Sequence, residues 1–343
     1  MNDSFHVAAV IPVRDGLPYV LEAVESALHQ TLPPAEIVVV DDASRDGTGE
    51  ALERRFGSRV RLLRGRFDSA AAARNAGWRA SASPWIAFLD ADDLWLAEKL
   101  ATAADYLSAT PGAAWFFSDG TFRPLAGELQ TSWFEDHAEL REPYLGHPTA
   151  QLIEVNFVLT SSVVVRRDAL ERTGGFDERM THAEDLDLWI RLSRSWPAAA
   201  SHRALVRYQH LEGGLTRQVE SRLTGDVVLF RRLAADTVLP RRLRRRARHR
   251  EAVAHYKLAI MALREARPAD VRRHLGRAWL FPERTIAVAA AWTACHLPPG
   301  LIRWLRSQRW ATRGVAALIA HPRRVLLSEG PASPSVATHR KPT

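Results

Sequence analysis

The chain has 343 residues, 46% of them apolar and 25% charged, the make-up of an ordinary globular protein long enough for two domains. A single cysteine, Cys295, excludes an internal disulfide and suits a reducing compartment. The net charge of +8 hides a division, because residues 1–220 hold 22 Lys/Arg against 32 Asp/Glu and residues 221–343 hold 25 against 7. An acidic body with a basic tail points to two jobs. The N-terminal stretch lacks a secretory signal pattern, and no run reaches the ~18 apolar residues of a spanning helix, so a cytoplasmic location is expected.

Short apolar runs alternate with helical patterns over residues 7–118. Val7–Ile11 reads as a strand and Leu17–Gln30 as a helix, with Val20, Leu21, Val24, Ala27 and Leu28 at helical spacing. Ile37–Val40 is continuously apolar, as a strand buried on both faces would be. A helix over 47–56, a strand over 60–63, a helix over 70–82 and a strand over 85–89 follow. A helix over 96–107 and a strand over 113–117 complete the alternation, which predicts a doubly wound α/β sheet. Residues 119–160 show no clear period. Ser161–Val165 reads as a strand, and Glu184–Arg194 as an amphipathic helix with Leu188, Trp189 and Leu192 on one face. Beyond about residue 218 the pattern is helical, with a helix–turn–helix pair broken at Pro268. The last residues are rich in Pro, Ser and Thr and predict disorder.

Ligands bind at the carboxyl ends of strands in such sheets. That rule puts Asp41-Asp42 and Asp90-Ala91-Asp92-Asp93 on one edge. In "VVVDDASRDGT" the Asp, Ser and Gly-Thr can be ordinary turn and cap residues. "FLDADDLW" is harder to explain that way, because a cap needs one carboxylate and three are present. Carboxylates this close suit a hard divalent cation, which prefers oxygen ligands and can neutralise a leaving diphosphate.

The segments "VIPVRDG", "VVVDDASRDGT", "AARNAG", "FLDADDLW", "TGGFDE" and "EDLDLWIRL" stand in the order and spacing of family 2 glycosyltransferases. The chain resembles the inverting, non-processive members of that family over roughly residues 5–217. The resemblance implies a GT-A domain, a doubly wound α/β fold of the nucleotide-diphospho-sugar transferase type, over residues 1–217. A smaller all-helical, basic C-terminal region would cover 218–327, with a disordered tail over 328–343. It further implies a nucleotide-sugar donor, Mg²⁺ or Mn²⁺ as cofactor, and a glycan or lipid-linked glycan as acceptor.

Roles follow by position. Pro12, Val13 and Asp42 would bind base and ribose, and Arg74 would lie near the diphosphate. Asp90, Asp92 and Asp93 form the DXD-type motif, with Asp92 and Asp93 toward donor and metal. Arg14-Asp15 stands where the family more often has Tyr-Asn, and Asp15 can cap the next helix as Asn would. Glu184 and Asp185 at a helix start can simply complement the helix dipole. The resemblance instead implies a base that deprotonates the acceptor hydroxyl, Asp185 first and Glu184 second. His210, in "VRYQHLEGGLTR", matches a metal or diphosphate position, although a lone His is more often a surface or core residue; Arg217 would touch the diphosphate.

Two other readings stand beside this one. A nucleotidyltransferase of similar architecture would want a Gly-rich phosphate loop after the first strand, and "IPVRDGLPY" is not one. A non-catalytic glycosyltransferase-like binding or scaffold protein would have no need of Asp92, Asp93 and Asp185. "SQRW" (307–310) resembles the QxxRW motif of processive enzymes, but its spacing and place are wrong. The tail run "LPRRLRRRARHRE" carries seven Arg over residues 241–250. It can be a solvated helix face, but aromatics for stacking are absent from it, which argues against nucleic acid. With Trp304 and Trp310 further on, residues 241–310 suit peripheral attachment to an anionic membrane surface, the inner face of the cytoplasmic membrane.

Overall fold

The computed structural model describes residues 5–123, 134, 144–209, 219–265 and 267–278. Val7–Val13 (β1) and Glu36–Asp42 (β2) are enclosed at nearly every position, as their unbroken apolar sequences require. They pair in parallel. Arg61–Gly65 (β3) lies outside β2, and Trp85–Phe88 (β4) lies on the other side of β1, both parallel to their neighbours. The crossovers carry Tyr19–Leu28 (α1), Thr48–Phe56 (α2) and Ala70–Ala80 (α3). This half of the sheet is doubly wound, as expected.

The other half is mixed. Leu94–Trp95 (β5) follows β4, then Lys99–Ala109 (α4), Trp115–Arg123 (β6) and Tyr144–Gly146 (β7). Thr149–Glu154 (α5), Val164–Arg166 (β8), Arg167–Thr173 (α6), Glu184–Ser195 (α7) and Ala198–Gln209 (β9) come next. The sheet runs β3-β2-β1-β4-β8-β6-β9-β5, with β7 paired to β9. Antiparallel β8 breaks the parallel run between β4 and β6. Two departures from expectation have local causes. The strand expected over 161–165 opens as a 3-10 turn, Thr160–Ser162, before β8. The twelve residues of β9, AAASHRALVRYQ, contain no apolar run longer than three residues, so the sequence pattern alone passes over them.

Each sheet face buries its own core. One holds Val20, Val24, Leu52 and Leu100 against β1 and β2. The other is built around Trp115 and Trp189, stacked at 6.1 Å between ring centroids, with Phe176 edge-on to Trp189 at 6.0 Å. Val219–Ala235 (α8) enters this second core through Leu229, Phe230 and Leu233. One compact unit runs Met1–Ala247. The apolar stripe of α8 has its burial partner in the α/β body. The second unit is Arg248–Thr343. The division falls within Arg241–Arg264 (α9), which is followed by Pro268–Ala278 (α10), the helix pair expected around Pro268. Val271, Leu275 and Ala278 are the buried residues of α10. Cys295, the 307–310 segment and the tail over 328–343 lie outside the described residues.

Two sequence motifs hold each other in place. Asn75, fully buried on α3, donates through Nδ2 to the Phe176 carbonyl at 2.9 Å and to Glu178 at 2.7 Å. Its Oδ1 accepts from Phe176 N and Trp78 Nε1, each at 3.0 Å. Gly175, at φ +72°, passes so close that a Cβ there would stand 2.5 Å from Asn75 Oδ1. "RNAG" is thus fastened to "TGGFDE" by a saturated amide. Asn75→Ala strands buried donors and an acceptor together, and urea unfolding should show a loss of about 3 kcal/mol.

Candidate active site

The parallel strands end together. Val13 is in register with Asp41 and Asp42 with Gly65, and Leu89 N donates to the Val10 carbonyl at 3.0 Å. Both acidic clusters therefore share one sheet edge. Among the described residues four non-glycines have positive φ: Asp15, Ala43, Asp68 and Ala183. The first three follow the ends of β1, β2 and β3, and the fourth immediately precedes α7. Such backbone costs about 1–3 kcal/mol per residue and collects at functional sites.

Pro12 keeps a partly exposed face at the end of β1, while Val13 is buried. Asp42 Oδ1 accepts from Phe67 N at 2.5 Å and Asp68 N at 3.0 Å, and Arg14 Nη1 stands 3.7 Å from its Oδ2. Asp42 thus shapes the loop after β3 as well as the edge. Asp15 does not cap the next helix. Its Oδ1 accepts from Arg45 N at 2.6 Å, its N–H donates to Ser44 Oγ at 2.9 Å, and Pro18 occupies the N-cap of α1 without a side-chain bond. Asp15 thus joins the β1 and β2 loops.

The acidic turn after β4 divides its three carboxylates. Asp93 is 1% exposed and accepts from Ser161 Oγ at 2.5 Å, while the same oxygen accepts from Asp90 N at 3.0 Å. Asp93 was expected beside Asp92 at the metal, but this enclosure leaves it no open face for a cation. Its carboxylate anchors the turn to the loop beneath. Asp90 is 28% exposed on its side chain. Asp92 is partly buried, and burial together with the Asp90 charge pushes its pKa from 3.8 to about 6.

Arg74 lies between the acidic motifs. Buried on α3, it donates through Nη2 to Asp90 at 2.7 Å and through Nη1 to Glu184 at 3.0 Å. Its guanidinium carbon is 5.4 Å from the Phe176 ring centroid. Burial works against its charge, but Asp90 and Glu184 outweigh burial and raise its pKa above the ordinary value. Arg74 is engaged by two carboxylates 94 positions apart in the chain.

Glu184 and Asp185 open α7, and the left-handed Ala183, at φ +62°, sets the turn before them. Asp185 Oδ1 accepts from Leu186 N at 2.7 Å, and its Oδ2 accepts from Asn156 Nδ2 at 3.0 Å. Burial raises the pKa of both carboxyls, for Glu184 reinforced by the Asp185 charge. Arg74 pulls both down without cancelling that rise. A carboxyl raised in this way is a better proton acceptor than a solvated aspartate. Pro12, Asp42, Arg74, Asp90, Asp92, Glu184 and Asp185 are thus all placed at or beside the edge. His210 and Arg217 lie outside the described residues, and no trio of His, Cys, Asp or Glu is arranged to hold a metal among those described. Sequence reasoning missed Asn156, Ser161 and Ala183. The first falls in the stretch without period, and the other two look like ordinary strand and loop residues.

Residues 8–174 match the family described as Glycosyl transferase family 2. The chain carries a family 2 glycosyltransferase domain. It is 34% identical over 99 residues to the UDP-Glc:alpha-D-GlcNAc-diphosphoundecaprenol beta-1,3-glucosyltransferase WfgD of Escherichia coli, covering 29% of this chain and 39% of that one. It is 32% identical over 104 residues to the putative teichuronic acid biosynthesis glycosyltransferase TuaG of Bacillus subtilis, covering 29% and 41%. The chain thus spans about two fifths of the length of each. Among solved structures it is similar to S. aureus TarS 1–349 in complex with UDP-GlcNAc, with a TM-score of 0.62 at 17% identity over 84% of this chain and 88% of that one. It is also similar to the mannosyltransferase PcManGT from Pyrobaculum calidifontis in complex with GDP-Man and Mn²⁺, with a TM-score of 0.59 at 21% identity over 95% and 88%. The glycosyltransferase domain has the GT-A fold.

The charge on Asp92 makes a testable contribution to this domain. Its folded pKa exceeds its ordinary 3.8, so the fold favours the protonated form. The resulting stability is complete below about pH 4 and is lost as pH rises through about 6. Asn at this position keeps the shape without the charge. Urea unfolding without divalent ions should therefore show Asp92→Asn gaining on the parent from pH 4 to pH 7, by on the order of 2 kcal/mol.

Proposed function

We propose that the chain is an inverting glycosyltransferase that moves one sugar from a nucleotide-diphospho-sugar to an acceptor hydroxyl in surface polysaccharide or glycolipid assembly. The observation that carries this reading is the Arg74 bridge, which ties the carboxylate turn at the nucleotide edge to the Glu184–Asp185 helix start. The relative named as a putative teichuronic acid biosynthesis glycosyltransferase and the one named for a diphosphoundecaprenol-linked sugar support the pathway class and a lipid-linked acceptor.

Asp185 is the base. Its raised carboxyl takes the acceptor hydroxyl proton as that oxygen bonds the anomeric carbon, and the bond to the diphosphate breaks with its electron pair leaving on the nucleotide. Burial and then the Asp90 charge support the basicity of Asp185, while Glu184 beside it is held by Arg74. Pro12 and Asp42 line the base and ribose side. Asp90 and Asp92 fit Mg²⁺ or Mn²⁺, because a catalytic site of this kind needs one or two carboxylate oxygens, the rest coming from phosphate and water. The bound ion would supply charge neutralisation at the leaving diphosphate. The raised pKa of Asp92 supports the same assignment, since a cation beside it would ease the burial and the Asp90 charge that penalise its ionised form.

The expected assay outcome is nucleotide diphosphate release from one of UDP-glucose, UDP-GlcNAc or GDP-mannose, with Mn²⁺ and a GlcNAc-diphospholipid acceptor. Asp185→Asn and Asp92→Ala should each abolish it, and transfer by either variant would overturn the residue's assignment.

We further propose peripheral attachment to an anionic membrane surface. Arg241, Arg242, Arg245 and Arg248 of α9 are exposed, and no helix among the described residues is long and apolar enough to cross a membrane. Each basic residue near such a surface contributes about 1 kcal/mol. The full chain should co-sediment with phosphatidylglycerol vesicles at low salt and be released at high salt. Recovery wholly in the supernatant at low salt would reject the attachment.

A further inference from the structure

We infer that Asn156 is a positioning residue for the Asp185 carboxylate, and that the loop from Val155 to Ser162 holds base and donor turn in one register. The inference rests on the reading of Asp185 as base.

The loop leaves α5 at Val155 and ends in the 3-10 turn. Asn156 near its start donates through Nδ2 to Asp185 Oδ2 at 3.0 Å. Ser161 near its end donates to Asp93 and accepts from Asp90 N. Between these contacts Phe157 and Val158 are buried in the Trp115–Trp189 core, so the loop has no freedom to slide. The support of the acceptor side, Asn156, and that of the donor side, Ser161, therefore stand five positions apart on one anchored segment.

The amide has one workable orientation. Asn156 Oδ1 accepts from Val158 N at 3.3 Å, which leaves Nδ2 to face Asp185. A flip would set its oxygen against a carboxylate oxygen and its NH₂ against a backbone N–H. Among the described residues Leu186 N donates to Asp185 Oδ1 and Asn156 Nδ2 to its Oδ2, and a donor on each oxygen fixes the carboxylate plane. Arg74 and Asp90 are charged groups that act on this carboxylate, Glu184 stands next to it in the chain, and the Asn156 side chain that bonds it is neutral. A cation at position 156 would hold Asp185 as firmly but would pair with it and depress its basicity. An amide orients the base and leaves its charge to the acceptor proton.

The test uses the full-length protein, Asn156→Ala and the near-isosteric Asn156→Asp. One readout is nucleotide diphosphate release from the donor active in the assay above. The other is the Asp185 carboxyl pKa in the ligand-free protein, followed by carbon NMR of isotope-labelled aspartate against Asp185→Asn. Asn156→Ala removes a hydrogen bond to the ionised form, so the Asp185 pKa and the acid limb of kcat/KM should move up together. kcat should fall roughly 10- to 100-fold, with the donor KM within about twofold of the parent. Asn156→Asp sets a like charge against the base and should move the limb further up. A merely structural role would lower the thermal midpoint and weaken donor binding while leaving pKa and limb in place, and that result overturns the inference. If Asp185→Asn is inactive while both Asn156 variants keep the parental kcat and pKa, this inference alone falls. If Asp185→Asn still turns over, the base assignment itself has failed.

Discussion

One buried guanidinium holds the site together. Arg74 comes from α3, between the third and fourth strands, and it meets Asp90 after β4 and Glu184 at the start of α7. A buried carboxylate without a partner is costly, and breaking a buried pair from one side typically costs about 3–5 kcal/mol. The fork geometry of Arg lets a single cation answer two acids on separate elements, which the point charge of Lys does less well. One residue along α3, Asn75 is fastened to the Phe176 loop.

The resulting balance of charge is incomplete, and that incompleteness suits the chemistry. Arg74 offsets Asp90 and Glu184, yet Glu184 and Asp185 keep raised pKa values and Asp92 rises to about 6. Full neutralisation within the protein would give a more stable turn with no attraction for a cation and no basic carboxylate. Left as it is, the edge has room for positive charge beside Asp92 and for a proton on Asp185. Asp93 takes no part in this balance, because Ser161 and the enclosing loop already hold it.

Much of the first half of the domain was legible because parallel strands buried on both faces must be apolar throughout, and helices that cover them must repeat at helical spacing. β1, β2 and β4 and the helices between them satisfy both conditions. The second half escapes such reading. β5, β7 and β8 are two or three residues long, and β9 is held by pairing with β6 rather than by an apolar pattern of its own. The place of α8 is a tertiary matter too: its sequence announces a helix but not that Trp189 and its neighbours receive it.

Family membership of the domain, the shared edge of Asp42 with the Asp90–Asp93 turn, and the candidate acids of α7 all follow from the order and spacing of residues along the chain. These features are local: a motif, a strand end, a helix start. Which carboxylates stay open, which cation answers them and which amide orients Asp185 were decided only in three dimensions. Arg74 is 110 residues from Glu184, Asp93 is 68 from Ser161 and Asn156 is 29 from Asp185. At such separations linear spacing carries no distance, and burial, which sets each pKa here, exists only once the sheet, the loop and α7 have packed together.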